Sequence, residues 1–110
     1  MSKQPLVSII MNCYNGEQYI NQAIDSIYAQ TYSNWEVIFW DNASTDESYN
    51  IASRYDSKIQ KFRSETNVSL GEARNKAVEN ANGDWLAFLD VDDIWFPKKL
   101  ELQLAGLATG

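Results

Sequence analysis

The sequence predicts an α/β fold with a doubly wound, mostly parallel sheet and helices on both faces. Short apolar runs typical of buried strands alternate with segments whose apolar residues recur at helical spacing, in the order β-α-β-α-β-α-β-α. Such alternation is typical of parallel sheets whose right-handed crossover helices cover both faces. With 110 residues, of which 45% are hydrophobic, the chain is long enough for one domain, 1–110, with its own core.

The first half of the chain contains two predicted strands, each followed by a predicted helix. Leu6–Met11 is a continuous apolar run, which suits a central strand buried on both faces. A helix within residues 16–30 has one apolar face, made of Tyr19, Ile20, Ala23, Ile24, Ile27 and Tyr28. Trp35–Trp40 is the second strand. Ser44–Glu47 has the form of a capping box, which predicts a helix that runs to about Tyr55.

The second half repeats this order. Ile59–Ser64 is a weaker strand, predicted to be more exposed. Ser69–Glu72 is a second capping box, and Gly83 is the predicted C-terminal cap of the helix it opens. The apolar face of that helix comprises Ala73, Ala77, Val78 and Ala81. Trp85–Leu89 is the fourth strand, predicted to be buried, and Pro97 opens a last helix. The apolar residues of the last helix are Leu100, Leu104 and Leu107.

Composition excludes several classes of function. A net charge of −6 argues against a nucleic-acid-binding protein, which would carry a basic surface. The chain has no histidine, so a metal site must use oxygen ligands and would favour a hard cation. No apolar run approaches the roughly 20 residues that span a bilayer, and no signal peptide is apparent. Cys13 is the only cysteine, which is typical of a reducing compartment, and we expect a cytoplasmic protein.

Polar segments follow the first, second and fourth strands: NCYNGE, DNASTD and DVDD. If the strand order is 3-2-1-4, these segments converge on the crevice where doubly wound sheets bind ligands. The chain has neither of the usual glycine-rich phosphate motifs. Asp90 and Asp92 point the same way if the backbone stays extended, and can then hold Mg²⁺ or Mn²⁺ against a diphosphate. The alternative is that these acids cap a helix or turn the chain.

Two sequence blocks resemble the nucleotide-binding half of the family 2 glycosyltransferases, which have the GT-A fold. The resemblance covers about Leu6 to Leu104. Its first block is VSIIMNCYNGEQYINQAIDSIYAQTYSNWEVIFWDNASTDES, and its second, SLGEARNKAVENANGDWLAFLDVDD, ends in the family's D-x-D motif. The resemblance implies inverting, metal-dependent transfer of a sugar from a nucleotide-diphosphosugar, most simply a UDP-sugar, to a saccharide or lipid-linked acceptor.

The resemblance also implies roles for individual residues. The nucleotide-sugar-binding residues are expected to be Asn12, Cys13, Tyr14, Asn15, Asp41, Asn42, Arg74 and Asp90. Asp92 is expected to be the main metal ligand, for Mn²⁺ or Mg²⁺, with Asp90 beside it. Asn42 stands where the family often has a second acid. An amide both donates and accepts hydrogen bonds whereas a carboxylate only accepts, which bears on which base is bound.

Each of these residues also has a structural interpretation. Tyr14 can be a core aromatic, Asp41 a helix cap, and Arg74 the partner of Glu72 or of another surface acid. Asp93 can cap the following turn. The remaining structural interpretations are a turn at Asn15 and Gly16, an electrostatic role at a helix N-terminus for Asp46, and packing for Trp95.

Other classes of protein compete with the glycosyltransferase interpretation. A receiver domain requires acids at the end of the first strand, which here ends in Met11-Asn12-Cys13. A sugar nucleotidyltransferase usually carries a basic, glycine-rich loop after that strand, and NCYNGEQ has one glycine and no Lys or Arg. A nucleotide-binding module without activity fits the sequence as well.

The resemblance assigns the general base to an acceptor-binding half that follows the nucleotide-binding half. The sequence ends at LAGLATG, so we expect an N-terminal fragment that binds donor but transfers sugar weakly or not at all. Trp95, Phe96 and the last leucines are predicted to form an exposed apolar patch and to cause self-association. The full-length protein is expected to be cytoplasmic, or peripheral at the inner face of the membrane, in polysaccharide biosynthesis of the cell envelope.

Overall fold

The computed structural model describes the backbone of residues 4–109 and the side chains of residues 4–106. Strands and helices alternate as predicted. The strands are β1 (Val7–Cys13), β2 (Trp35–Asp41), β3 (Ile59–Arg63) and β4 (Trp85–Phe88). The helices are α1 (Ile20–Tyr28), α2 (Ser48–Ala52), α3 (Leu70–Glu79) and α4 (Lys99–Thr109).

The four strands form one sheet in the order β3-β2-β1-β4, and every pair is parallel. This confirms the predicted order. β1 and β2 pair over their whole length, so that Val7 lies opposite Trp35 and Cys13 opposite Asp41. The carboxyl ends of the two central strands are therefore level, and the loops that follow them start side by side.

Helices cover both faces of the sheet, as the prediction requires. The larger core lies between the sheet and α1, α2 and α4, because alternate residues of β1 and β2 point that way. Its sheet residues include Ile9, Met11, Val37 and Phe39, and its α1 residues are Ile20, Ala23, Ile24 and Ile27. The smaller core, on the side of α3, is built from Ile10, Ile38 and Ala77. β1 and β2 are thus buried on both faces.

The first predicted capping box is wrong. Helix α2 begins at Ser48, three residues after the expected start, and ends at Ala52 rather than near Tyr55. The Ser44 hydroxyl accepts the backbone N–H of Asn15 instead of capping a helix. Asp46 takes the local role, since its carboxylate accepts the N–H of Ser48 at 2.9 Å. A contact between distant loops has displaced a local capping pattern.

The second capping box is confirmed at its serine, but the predicted glycine cap is wrong. Ser69 is the N-cap of α3 and its hydroxyl accepts the N–H of Glu72 at 3.1 Å. The helix ends at Glu79, with Asn80 as its C-cap. Gly83 lies beyond the helix, where a Cβ would be 2.5 Å from the Ser8 hydroxyl. The glycine is needed because it packs against β1.

The prediction that the fourth strand is buried is also wrong. β4 lies at the edge of the sheet, and the side chains of Trp85, Leu86 and Phe88 are 46–48% exposed. Only β1 pairs with it, and no strand among the described residues covers its other side. The sequence of β4 is apolar, but burial of its side chains requires packing partners on its outer side, and the described residues provide none there.

The last helix starts two residues after Pro97, at Lys99. Leu100 is buried in the larger core and Leu104 packs partly against it, as predicted, while the side chain of Leu107 lies outside the described residues. Trp95 is buried, which confirms packing as its role and removes it from the predicted exposed patch.

Candidate functional site

A cleft of about 260 Å³ lies beyond the carboxyl ends of β1 and β4. It is lined by Asn12, Tyr14, Asn15, Gly16, Tyr19, Asp90, Val91 and Asp92. The structure thus brings together the polar segments that follow the first and fourth strands, as predicted. The second segment lies beside them, because the backbone N–H of Asn42 donates to the carbonyl of Cys13 at 2.8 Å.

Three carboxylates form a cluster, and two of them, Asp90 and Asp92, line this cleft. Asp90, Asp92 and Asp93 each offer one oxygen, and these oxygens lie within 4.8 Å of one another. The expected extended backbone is not what unites them: Asp93 donates its N–H to the carbonyl of Asp90 at 3.0 Å, so the chain turns here. The turn brings in Asp93 as well. Exposed like charges this close repel one another, and an oxygen-only donor set fits a hard divalent cation.

Gly16 allows the loop after β1 to pack closely against the turn that contains Asp90 and Asp92. A Cβ at this position would lie 2.9 Å from the Val91 side chain and 3.2 Å from the Cys13 sulfur. A larger residue would therefore push the loop away from Val91, which stands between Asp90 and Asp92. The sequence interpretation of Gly16 as an ordinary turn residue missed this close approach.

The loops after β1 and β2 are joined by side chains of the S-T-D segment. Asn15 adopts a left-handed conformation, with φ 51°. Its N–H donates to the Ser44 hydroxyl and its side-chain oxygen accepts the N–H of Thr45, both at 2.8 Å. The N–H of Gly16 donates to the hydroxyl of Ser48 at 2.9 Å. The Ser44 hydroxyl, which the sequence pattern predicts to cap a helix, is thus used in a contact between loops.

A reciprocal pair extends the same contact. The N–H of Glu17 donates to the Asp46 carboxylate at 3.2 Å, and the N–H of Glu47 donates to the Glu17 carboxylate at 2.9 Å. Burial opposes ionisation of Asp46, but hydrogen bonds from Ser48 and Glu17 outweigh it and hold the pKa of Asp46 below its ordinary value. The predicted helix-terminus role of Asp46 is present, together with this second role between loops.

Asp41 is a fully buried carboxylate at the end of β2. One oxygen lies 3.3 Å from Nε of Arg63 and accepts the N–H of Ser44 at 3.1 Å. Its other oxygen has no hydrogen-bond partner among the described residues, and the same holds for the side-chain nitrogen of Asn12. Buried polar atoms are rarely left unpaired, so we expect a water molecule or a ligand atom at each of these two.

Sequence reasoning missed Arg63. It is the last residue of β3, and the sheet register places it directly opposite Asp41. A basic residue ending one strand and an acid ending another are visible in the sequence, but the pairing follows only from the register. Its guanidinium also lies 5.5 Å from the Tyr49 ring and donates to the Ser44 carbonyl.

Tyr14 and Cys13 face opposite ways. Tyr14 is 55% exposed and lines the cleft, which rules out the core interpretation. Cys13 is buried in the larger core and does not line the cleft. Burial raises the pKa of the Cys13 thiol, against weaker opposing hydrogen bonds from Ser48 and Gly16. A buried thiol with a raised pKa fits packing better than ligand contact.

Asn42 and Arg74 lie outside the lining of the cleft. The amide of Asn42 is bonded to the backbone of Val68. Arg74 is exposed on α3, with its guanidinium 5.4 Å from the centre of the Phe88 ring. Among residues 4–106, where side chains are described, Arg74 makes no ion pair with Glu72, so that alternative is wrong.

A parallel α/β sheet with a cluster of carboxylates beyond its strand ends is typical of α/β domains that bind nucleotides or phosphates. The comparison with known families is more specific. The chain belongs to glycosyl transferase family 2, since the family model with that description matches residues 8–110. Membership confirms the resemblance and sets aside the receiver and nucleotidyltransferase interpretations.

Individual relatives agree. The chain is 43% identical over 101 residues to the UDP-Glc:alpha-D-GlcNAc-diphosphoundecaprenol beta-1,3-glucosyltransferase WfgD of Escherichia coli, covering 91% of this chain and 40% of that protein. S. aureus TarS 1-349 in complex with UDP-GlcNAc superimposes with a TM-score of 0.88 at 30% identity, over 94% of this chain and 31% of that one.

A third protein shows the same fold with a bound cation. The mannosyltransferase PcManGT from Pyrobaculum calidifontis, in complex with GDP-Man and Mn²⁺, superimposes with a TM-score of 0.79 at 27% identity, over 86% of this chain and 29% of that one. These neighbours confirm the predicted GT-A fold. The chain spans less than half the length of the curated relatives that it matches; for the E. coli protein the share is 40%.

One finding concerns membranes. Within residues 4–109, no helix combines the length and the apolar character that crossing a bilayer requires.

Proposed function

We propose that residues 1–110 form the nucleotide-diphosphosugar-binding domain of a glycosyltransferase, with a UDP-sugar as donor. The observation that carries the proposal is the cleft in which Asp90 and Asp92, two members of the carboxylate cluster, meet Asn12 and Tyr14. Family membership supports a sugar donor, and the E. coli relative is named for a UDP-sugar. UDP and UDP-GlcNAc are bound by TarS.

Asp92 and Asp90 are the residues we propose as metal ligands, with Asp93 close enough to join them. The cation would be Mn²⁺ or Mg²⁺, and when bound it would neutralise negative charge on the diphosphate. The fit rests on the donor set of this chain, three exposed carboxylates and no competing nitrogen or sulfur ligand in the group.

The nucleotide would be held by groups that the fold leaves free. The exposed ring of Tyr14 offers a face for the base. The unpaired side-chain nitrogen of Asn12 and the unpaired oxygen of Asp41 offer a donor and an acceptor. Arg74 would supply positive charge near the nucleotide. Asn15 positions the loop that follows β1, through its bonds to Ser44 and Thr45.

The reaction we propose for the whole enzyme is inverting sugar transfer. An acceptor hydroxyl attacks the anomeric carbon, the nucleoside diphosphate departs, and a general base takes the hydroxyl proton. The acceptor is a saccharide or a lipid-linked saccharide, and the E. coli relative is named for a diphosphoundecaprenol-linked one. Under this proposal the general base and acceptor site belong to the length of the relatives that has no counterpart in residues 1–110.

The same relative motivates a proposed setting. A lipid-linked acceptor would bring the enzyme to the cytoplasmic face of a membrane as a peripheral protein in cell-envelope polysaccharide synthesis. Binding of the longer protein to vesicles that contain a polyprenyl diphosphate lipid, and not to vesicles without it, is the expected result.

Calorimetric titration of UDP tests the donor and metal assignments together. We expect binding with Mn²⁺ that is lost with a chelator and is about tenfold or more weaker in Asp92→Asn, because a hard cation would lose one anionic ligand. Glu79→Gln, the same change of charge on the exposed surface of α3, is the control. Equal binding with chelator would contradict the metal assignment. No binding of UDP, GDP or dTDP would contradict the donor assignment.

A further inference from the structure

Asn42 is placed where three parts of the chain meet. It follows the last residue of β2 and is buried, with 8% of its surface exposed. Its backbone N–H donates to the carbonyl of Cys13, the last residue of β1. Its backbone carbonyl accepts the side-chain N–H of Asn67 at 3.0 Å. The residue thus joins β1, β2 and the connection from β3 to α3.

The side chain of Asn42 makes a two-bond contact with one residue of that connection. Its nitrogen donates to the carbonyl of Val68 and its oxygen accepts the N–H of Val68, both at 2.8 Å. Only an amide satisfies both groups at once, because a carboxylate has no hydrogen to donate. All four polar groups of Asn42 therefore hold at least one protein partner, which leaves little of the residue for a base.

The Asn42–Val68 contact holds a segment with no strand partner of its own. Residues 64–69 run from the end of β3 to the N-cap of α3. Besides the bond from Asn67 to the Asn42 carbonyl, this segment is held to β2 by the N–H of Ser64, which donates to the Asp41 carbonyl, and by the Trp40 indole, which donates to the Ser64 hydroxyl. Val68 immediately precedes Ser69, which is the N-cap of α3, and Arg74 lies on that helix. The contact therefore sets where α3 starts relative to β2.

We infer that Asn42 is a positioning residue that acts through Val68, and that it does not read the base directly. It holds residues 64–69 and the start of α3 against the end of β2. In the sheet order β3-β2-β1-β4 this end lies across β1 from the acidic cluster that follows β4, so the contact shapes the side of the site away from the proposed metal and diphosphate, where the base would lie. This inference rests on the proposed nucleotide-binding function. It replaces the expectation that Asn42 contacts the nucleotide itself.

The test combines hydrogen exchange with two ligands. Asn42→Asp keeps the shape and the acceptor but loses the donor to Val68, and Asn50→Asp makes the same change on the exposed surface of α2 as a control. Amide exchange at Val68 is measured in the unliganded protein. Dissociation constants are then measured with Mn²⁺ for UDP, for GDP and for inorganic pyrophosphate, which has no base.

In Asn42→Asp the acceptor of the Val68 N–H remains, but a carboxylate oxygen replaces the donor and repels the Val68 carbonyl. We therefore expect residues 64–69 to separate from β2, exchange at Val68 to rise about tenfold, and UDP binding to weaken about fivefold or more, the size of one lost buried hydrogen bond. Pyrophosphate binding should not change, because the contact acts on the base side of the site. General destabilisation would not separate the two ligands. Asn50→Asp should match the unchanged protein in all measurements.

Several results would overturn the inference. Unchanged exchange at Val68 would show that the contact does not hold the segment. Faster exchange at Val68 with unchanged UDP binding would show that Asn42 supports the fold but has no role in nucleotide binding. Loss of UDP binding with unchanged GDP binding would show direct reading of the base. If Asn42→Asp fails to fold, Asn67→Ala removes one bond from the same segment and should show the same pattern at smaller size.

Failure of the proposed function looks different. The unchanged protein would then bind neither UDP nor pyrophosphate, whatever the exchange at Val68. In that case a faster exchange in Asn42→Asp would still establish the contact, but the inferred role in a nucleotide site would be wrong.

Discussion

At the scale of single residues, backbone strain is concentrated at the proposed site. Asn15 and Ala43 are the non-glycine residues with positive φ among those described, at 51° and 57°. They follow the carboxyl ends of β1 and β2 respectively. Asparagine tolerates this conformation, but alanine does not, because its Cβ crowds the following carbonyl. The loops after both strands are held there by the bonds of the S-T-D segment rather than by local preference.

Ala43→Gly should stabilise the protein. Removing the Cβ relieves about 1–2 kcal/mol of left-handed strain, and the added freedom of the unfolded chain returns about 0.5–1 kcal/mol, so we expect a net gain of about 0.5–1 kcal/mol. Urea unfolding measures it. Ala29→Gly, at φ −83°, is the matched control and should destabilise. A loss of stability in Ala43→Gly would contradict the strained conformation.

At the scale of elements, the ends of the sheet opposite the site are joined by one buried carboxylate. Glu36 of β2 accepts the hydroxyl of Ser8 on β1 at 2.6 Å, the side-chain nitrogen of Gln60 on β3 at 2.8 Å, and the backbone N–H of Asn82 at 2.7 Å. Burial opposes ionisation of Glu36, but these hydrogen bonds outweigh it, so its pKa lies below the ordinary value of 4.5. The carboxylate connects three strands and the loop that leads into β4.

This arrangement predicts a pH dependence. Because the pKa of Glu36 is lower in the folded state, its stabilisation is complete above the unfolded-state pKa and is lost as pH falls through the folded-state pKa. Glu36→Gln should lower the free energy of unfolding by about 1–2 kcal/mol at pH 7, and the difference should shrink as pH falls towards 3. Urea titrations across that range measure it, with Glu79→Gln as control. A difference that stays constant with pH would contradict the linkage.

At the scale of the whole molecule, the largest departure from expectation is where apolar surface is exposed. Trp95 and Leu100 are buried, so Phe96 and Leu102 are the exposed members of the predicted patch, while the side chain of Leu107 lies outside the described residues. Further exposed apolar residues lie on β4, namely Trp85, Leu86 and Phe88, and Ile94 is exposed in the segment that follows. An unpaired edge strand with apolar side chains on both faces is an open template for another strand.

We expect the 110-residue chain to self-associate through β4. Two copies can pair their edge strands antiparallel, which a twofold axis makes self-complementary. Sedimentation equilibrium should show a mass that rises with protein concentration. Leu86→Lys should restore the monomer, because a lysine on the edge opposes pairing, whereas Gln22→Lys on the exposed surface of α1 should not. A strictly monomeric protein at high concentration would contradict this expectation.

Much of the fold could be read locally. The apolar runs of β1 and β2, the helical spacing of α1 and the Ser69 cap all agree with the structure because each is set by residues near in sequence. The proposed metal ligands Asp90 and Asp92 also follow from position, since they stand at the end of a strand next to the central one. The turn that brings Asp93 close to them could not be predicted from the sequence, because the segment Asp90-Val91-Asp92 is equally compatible with an extended backbone.

The sequence by itself determined the order of elements, the parallel sheet, the family and the place of the acidic cluster. Hydrophobic period and motif spacing are short-range properties, so they can be identified without knowing which distant segments pack together. Caps are less secure, since the Ser44 hydroxyl accepts an N–H from another loop instead of capping a helix. Only the tertiary structure decided that β4 is an exposed edge, that Arg63 meets Asp41, and that Asn42 binds Val68. Each of these depends on strand register or on which neighbour covers an element. Those are long-range choices, made by the packing of the whole chain.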